Sequence, residues 1–402
     1  LTERPFFFEQ KGNYVFVGIR QAGKSYLLYQ RIQQLLREEH NINEIVYINF
    51  DDERLRQMTA DDLDLILQAY HSLFDLRPLL FFDEIQNIEG WEHFARRLAN
   101  QKYNIYITGS NAKMLSREIA TTLGGRFWNK DVYPYSFAEY LNARNIILSK
   151  NWMYGKQAAE VSKAFNDYFL YGGFPELTDV IAKRVWLNDI YSKIFFSDLI
   201  VRNKVRNEEA LGLLVRRLAE NVKQPVSYTR LANLISSIGI KISKATVIEF
   251  IRYLKESCLI FPIENYAAKF AERNSNMKHY FIDNGLLSIF LLDGNTSLLE
   301  NIVAIHLYKR YGAQLHFYNQ NIEVDFIIPE AKTAIQVSYS LMDETTCRRE
   351  VEGLIKLNRV FPMDNMCIIT RDEERIITHE SGVSIHVIPV WKWLLEEEPL
   401  RT

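Results

Sequence analysis

From Tyr14 to Asp131, short β-branched and aromatic runs alternate with segments whose apolar residues recur every three or four positions. That is the pattern of buried parallel strands separated by helices that lie on the sheet. Strands are expected at Tyr14–Gly18, Glu44–Asn49, Leu79–Asp83, Asn104–Thr108 and Asn129–Pro134, and helices at Lys24–Arg37, Ala60–Phe74 and Trp91–Gln101. The fold class is α/β, doubly wound. After Phe137 the alternation stops, and Phe-, Tyr- and Leu-rich helical segments continue to about Glu220, broken by Gly172-Gly173-Phe174-Pro175. Ser227 then caps an expected helix to Ser236, Gly239 turns, Ser243 caps a second helix to Glu256, and Leu259–Ile263 reads as a strand. This is a helix-turn-helix with a wing-like strand, with Val247, Ile251 and Leu254 facing inward and Lys244, Arg252 and Lys255 outward. The last hundred residues return to α/β patterning: a helix over Leu299–Tyr311, and strands at Gln314–Tyr318, Val324–Ile328, Ala334–Ser338, Met366–Thr370 and Ser384–Ile388. The chain divides on this reading into 1–145, the doubly wound α/β domain; 146–220, a helical lid and connector; 221–292, a winged helix; and 293–402, a second α/β domain.

Length agrees with that division, since 402 residues exceed what one core usually organises. With 48% hydrophobic and 24% charged residues, every region has enough apolar material to fold. A net charge of −2 excludes a globally basic nucleic-acid binder and leaves only local patches, such as Arg202, Lys204, Arg206, Arg216 and Arg217, which read as a solvated helix face. Cys258, Cys347 and Cys367 are odd in number and lack metal-ligand spacing, as packing residues of a reducing compartment would be. No apolar run reaches the length of a membrane span, and a cytoplasmic location with no membrane partner is expected.

The chemistry concentrates where strands end. The first expected strand runs into Gly18-Ile19-Arg20-Gln21-Ala22-Gly23-Lys24-Ser25 and then into a helix, the phosphate-loop pattern in its proper context. Glycines let backbone N–H groups curl around phosphate oxygens, and the helix N-terminus adds its positive end. Gly18, Arg20, Gln21, Ala22, Gly23, Lys24 and Ser25 are therefore the expected ATP-binding residues, with Lys24 on the β- and γ-phosphates and the Ser25 hydroxyl on Mg²⁺. Leu79-Leu80-Phe81-Phe82-Asp83-Glu84 is an apolar strand ending in two carboxylates, a Walker B element: Asp83 for the metal, Glu84 for the attacking water. Gln86 is a further candidate for positioning water. Asn104–Thr108 leads into Gly109-Ser110-Asn111, where Ser110 or Asn111 senses the γ-phosphate or caps the next helix. Arg126 is the first arginine-finger candidate and Arg117 the second; a finger acting between subunits calls for a homo-oligomer.

GIRQAGKS, YINFDDER, FFDEIQNIEGWE, ITGSNAKMLSREIATTLGGR and FLYGGFPEL together resemble the prokaryotic family of AAA+-type ATPases with an uncharacterised C-terminal region. The resemblance implies ATP binding, an AAA+-like core and a C-terminal part similar to a degenerate restriction endonuclease. Within that last part, Glu300, Asp325 and Gln336-Val337-Ser338 resemble an acid, acid and lysine arrangement around a metal, with Gln336 in place of the second acid and Ser338 in place of the lysine. Lys332 and Lys356 are candidates to fill that gap, though spacing dictates neither. The function expected is Mg²⁺-dependent ATP hydrolysis that changes conformation on a nucleic-acid or protein partner, DNA through the winged helix among them. A nucleotide-gated nuclease and a slow nucleotide-dependent binding switch are the alternatives.

Overall fold

The computed structural model describes residues 2–9, 11–115, 117–153, 155–269, 273 and 275–396. It separates into two compact units: Leu1–Pro134 with Glu256–Cys258, and Tyr135–Lys255 with Leu259–Thr402. The first is built on β1 (Asn13–Val17), α1 (Lys24–Arg37), β2 (Ile45–Asn49), α2 (Asp64–Leu73), β3 (Leu79–Asp83), α3 (Trp91–Asn100), β4 (Asn104–Gly109), α4 (Arg117–Leu123) and β5 (Phe127–Asp131). All five strands are parallel, in the order β2-β3-β4-β1-β5.

Strand alternation divides the side chains of this sheet into two layers. Val15, Val17, Leu80, Ile105 and Ile107, with Phe82 among them, form a mainly aliphatic face packed against Trp91, Phe94, Ala95 and Leu98 of α3, whose one-turn spacing makes a single buried stripe. On the opposite face lie Tyr14, Phe16, Phe81 and Tyr106, stacked at centroid spacings of 4.7 to 5.9 Å. Arg31 of α1 reaches into this aromatic layer and donates from Nε to the Tyr106 hydroxyl at 3.3 Å. The polar residues at the carboxyl ends of β3 and β4 continue the aromatic face, not the aliphatic one. Each large side chain so buried stabilises the sheet by about 2 kcal/mol.

The second unit begins with helices α5 (Phe137–Ala143), α6 (Lys156–Tyr171), α7 (Lys183–Lys193), a π-helical continuation over Ile194–Val201, and α8 (Glu208–Glu220). There follow β6 (Val226–Ser227), α9 (Tyr228–Ser236), α10 (Lys244–Glu256), β7 (Ile260–Asn265), β8 (Asn276–Phe281), α11 (Asn284–Ser288), α12 (Asn295–Tyr311), β9 (His316–Asn319), β10 (Glu323–Ile328), β11 (Thr333–Val337), α13 (Glu344–Val360), β12 (Asn365–Thr370), β13 (Arg375–Thr378), β14 (Ser384–Pro389) and α14 (Val390–Glu396). Ser227 and Ser243 accept from Arg230 N at 3.2 Å and Thr246 N at 3.1 Å, so both serines cap the helices expected of them. Val247, Ile251 and Leu254 are buried, whereas Lys244, Arg252 and Lys255 are exposed.

Two expected boundaries are not breaks in the structure. Phe137–Ala143, placed with the ATPase domain by an end at residue 145, belongs to the second unit. Strands β7 and β8 also join the C-terminal sheet across 292/293, because β7 pairs with β9 in parallel through Glu264↔His316 and Asn265↔Phe317. One sheet in the order β13-β14-β12-β11-β10-β9-β7-β8-β6 results. No helix among the described residues is long and apolar enough to cross a membrane.

Candidate functional site

β4 lies between β1 and β3, so the carboxyl ends of three adjacent parallel strands bring the loop 18–25, Asp83-Glu84 and Ser110 into one row. That is the edge at which open parallel sheets bind ligands. The loop is shaped by close approach: a Cβ on Gly18 would stand 2.0 Å from the Val132 carbonyl oxygen. Gln21 and Gly23 have φ of 60° and 93°, and Gly23 is the residue from which α1 starts. Ala22 is buried and donates to Ile19 O at 3.3 Å, closing the loop, while Arg20 and Ser25 are half-buried at its rim.

Lys24 is buried, and its ammonium donates to Ile19 O at 3.1 Å and faces Glu84 Oε1 at 3.5 Å. Glu84 follows the last strand residue with φ 52°, a left-handed conformation that swings its side chain off the strand's alternation and toward Lys24. Its other oxygen, Oε2, accepts from Gln86 Nε2 at 2.5 Å, and the same amide reaches Ser110 Oγ at 3.3 Å. Burial alone would raise the Glu84 carboxyl, but Lys24, Gln86, Ser110 and Arg20 outweigh it and hold the group below its ordinary value. Glu84 is thus an anion at neutral pH. Gln86 Oε1 is buried without a hydrogen-bond partner among the described residues and lies beside Gly109, where an added Cβ would stand 2.5 Å from it.

Asp83 is 2% exposed and held by two hydroxyls. Tyr47 donates to Oδ2 at 2.7 Å, Thr108 donates to Oδ1, and Thr108 Oγ1 in turn accepts from Glu84 N at 3.0 Å. Sequence reasoning missed both hydroxyl residues. Thr108 carried a faint signal, a polar residue in an apolar strand two positions before Ser110; Tyr47 carried none, since a tyrosine in a strand is ordinary. Asn111 is half-buried beside Ser110. Arg126 is exposed at the amino end of β5, with its guanidinium folded onto Gly124 O at 3.0 Å. β5 runs parallel to β1 with Phe127 opposite Asn13, so Arg126 lies about six strand residues, roughly 20 Å, from the level at which the phosphate loop of its own chain begins. The Arg117 side chain lies outside the described residues.

In the second unit, Glu300, Asp325, Gln336 and Ser338 do line one cavity of about 900 Å³. The cation in this cluster is neither of the two candidates, Lys332 and Lys356, but Lys278 of β8. Its fully buried ammonium stands 3.1 Å from Glu300 Oε1, 3.3 Å from Asp325 Oδ1 and 3.7 Å from Glu323 Oε1. Lys332 pairs with Asp364 at 3.5 Å, and Lys356, on the cavity wall, pairs with Glu352 at 3.5 Å. Further hydrogen bonds tie the cluster: Glu300 Oε1 also accepts from Tyr280 at 2.7 Å, Asp325 Oδ2 from Val337 N at 2.9 Å, and Gln336 Oε1 from Asp325 N at 2.9 Å. These residues do not fit a divalent metal, and no cluster of three or more His, Cys, Asp or Glu among the described residues has that arrangement.

The Gly-Gly-Phe-Pro segment does more than end α6. Asp283 accepts from Gly173 N at 2.7 Å and Gly285 N at 2.7 Å, and a Cβ on Gly172 would lie 2.0 Å from Asp283 Oδ1. Of the basic run, Arg202 is tied to Asp198 at 2.9 Å and Arg217 to Glu220 at 2.8 Å.

Comparison with known proteins agrees with the first unit's geometry. Residues 10–141 match the model of the AAA domain, and residues 162–297 match a domain of unknown function, DUF8612. An uncharacterized protein of Methanocaldococcus jannaschii, MJ1544, is 34% identical over 395 residues, covering 95% of this chain and 88% of the relative. An uncharacterized protein of Haemophilus influenzae is 30% identical over 393 residues, covering 95% and 94%. Among solved structures, the Walker-type ATPase PABY2304 of Pyrococcus abyssi aligns with TM-score 0.44 and 14% identity over 69% of this chain and 90% of that one. The chain belongs to the family of these archaeal and bacterial relatives, AAA-type P-loop ATPases whose C-terminal region is uncharacterised.

Proposed function

We propose that this protein binds ATP with Mg²⁺ at the loop 18–25 and hydrolyses it, using the energy to change conformation on a nucleic-acid or protein partner. The observation that carries this reading is the Lys24–Glu84 contact at 3.5 Å, with Asp83 next in sequence and Ser110 joined through Gln86. Fixed positive charge, a water-activating carboxylate and a metal-side carboxylate converge at one sheet edge.

The roles follow from charge. Gly18, Arg20, Gln21, Ala22 and Gly23 shape the cradle, and their backbone N–H groups with the start of α1 bind the phosphates. Lys24 exchanges Glu84 for the β- and γ-phosphates when ATP enters, since a polyphosphate outcompetes one carboxylate for the ammonium. That exchange frees Glu84, already ionised, to accept a proton from the attacking water. Gln86 and either Ser110 or Asn111 then orient that water and the γ-phosphate. Ser25 and Asp83 are the residues that would hold Mg²⁺, which when bound neutralises charge on the β- and γ-oxygens. Arg126, remote from its own loop, acts on a neighbouring subunit's γ-phosphate in a homo-oligomer.

We assign 1–145, 146–220, 221–292 and 293–402 as ATPase, connector, winged-helix and restriction-endonuclease-like parts, with Phe137–Ala143 packed in the second compact unit and strands shared across the last boundary, in a cytoplasmic protein. The exposed Lys244, Arg252 and Lys255 of α10 support DNA as one partner class, although Glu249, 3.7 Å from Arg252, tempers that face. Phosphodiester cleavage is not part of this reading, because Lys278 occupies the centre of the acid cluster.

The test uses two variants. Lys24→Ala should lose ATP binding, whereas Glu84→Gln should bind ATP and lose turnover by about 10²- to 10⁴-fold. Equal affinity in Lys24→Ala and wild type, or normal turnover in Glu84→Gln, defeats the assignment.

A further inference from the structure

Asp83 is the last residue of β3, and a buried carboxylate at that position needs its lone pairs fixed if it is to face a metal-bound water in one orientation. Thr108, on the adjacent strand β4, fixes Oδ1. The partner of Oδ2 comes from the other side: Tyr47 of the sheet-edge strand β2 stands opposite Phe81, shares the aromatic face with Asp83 and donates its hydroxyl at 2.7 Å. Tyr47 is itself oriented by Tyr29 of α1, with hydroxyls 3.0 Å apart and ring centroids at 5.4 Å. Tyr29 follows Ser25 by one helical turn, so the strand carrying the metal-side carboxylate and the helix carrying the metal-side hydroxyl are joined by a chain of two phenols.

We infer that Tyr47 is a positioning residue for the metal side of the ATP site, holding the Asp83 carboxylate in the rotamer that faces Mg²⁺. The inference rests on the proposed role of Asp83 and adds a residue to it. Tyr47 touches neither nucleotide nor reacting atoms and acts through Asp83. Two opposed effects follow from removing its hydroxyl. A carboxylate relieved of one donor carries more charge for a cation, which favours metal; a carboxylate free to rotate loses its fixed geometry, which disfavours it. Thr108 alone fixes one oxygen and leaves rotation about the Cβ–Cγ bond unopposed on the other side, so the geometric loss wins.

The experiment is Tyr47→Phe, which keeps the ring and deletes the donor, beside Asp83→Asn and wild type. Mg²⁺ is titrated against ATP hydrolysis at saturating ATP, KM for ATP is measured at saturating Mg²⁺, and Tm is recorded for each. Tyr47→Phe should raise the half-saturating Mg²⁺ concentration about tenfold. Its kcat and KM at saturating Mg²⁺ should return to wild-type values, with Tm little changed. An unshifted or tightened Mg²⁺ requirement, or a loss of kcat that tracks a fall in Tm, overturns the inference while Asp83→Asn still abolishes metal-dependent turnover. If Asp83→Asn leaves the Mg²⁺ dependence untouched, the assignment of Asp83 has failed, and the inference falls with it.

Discussion

A lysine ammonium with no solvent exposure survives in a protein interior only when anions and acceptors around it replace its water. Lys278 has that shell: burial works against its charge, but Glu300, Asp325 and Glu323 more than reverse the effect and hold it protonated. Glu300 depends on the lysine in turn: burial raises its carboxyl to about 7, and Lys278 is the largest influence opposing that rise. Lys278→Met should therefore destabilise the protein by about 3–5 kcal/mol, because it strands buried anions, and it should do so more than the loss of any surface pair. A denaturant midpoint within error of wild type would show that the cluster is not held by this cation. Adding Glu300→Gln to Lys278→Met should recover part of the loss by removing the stranded charge. This residue also marks a limit of linear reading. Glu300, Asp325, Gln336 and Ser338 were legible because their order on a helix and two strands resembles a known nuclease arrangement, whereas Lys278 comes from another strand, 22 residues before Glu300 and 47 before Asp325. No spacing rule connects it to them.

At the scale of elements, the phosphate-loop strand and helix, the Walker B strand and the capped pair α9 and α10 were legible because each is fixed by local pattern: a strand ending in glycine, an apolar run ending in acids, a serine before a helical stripe. The contact between α6 and α11 was not. Gly172-Gly173 reads as a helix terminator, and what the sequence hides is the reason for two glycines. Gly172 has φ 77°, and both it and Gly173 are pressed so close to other groups that a Cβ would lie 2.0 Å from Asp283 Oδ1 and 2.2 Å from Tyr135 O. Gly285 completes the junction, with its Cβ position 2.1 Å from Tyr171 O. Gly172→Ala should accordingly cost about 2 kcal/mol or more, from strain in the left-handed region and displacement of the Asp283 carboxylate. Gly155→Ala, at a position with open space and ordinary extended backbone, is the control and should cost far less. Equal melting temperatures for the two variants would mean that the Asp283 junction does not constrain the fold.

At the scale of the whole molecule, the hardest features to read were those that join distant segments. The nine-strand sheet runs through the expected boundary at 292/293 because β7 and β9 pair across more than fifty residues, and strand patterning names no partner. Arg126 poses the same problem one level higher. Its place at the amino end of β5 denies it the phosphate loop of its own chain, so a catalytic role requires a second copy. Arg126→Ala should then leave ATP affinity nearly unchanged while lowering turnover by about 10³-fold or more, the scale of an absent arginine finger. Wild-type turnover per subunit should rise with protein concentration as subunits assemble. The decisive measurement mixes two inactive variants. Lys24→Ala offers Arg126 but no competent loop; Arg126→Ala offers a competent loop but no finger. In a mixed oligomer, sites with the loop from one and the arginine from the other are complete, so activity should reappear on mixing. Unimpaired turnover in Arg126→Ala, or two dead variants that stay dead when mixed under conditions where wild type assembles, would remove Arg126 from the site and leave hydrolysis to the residues of a single chain.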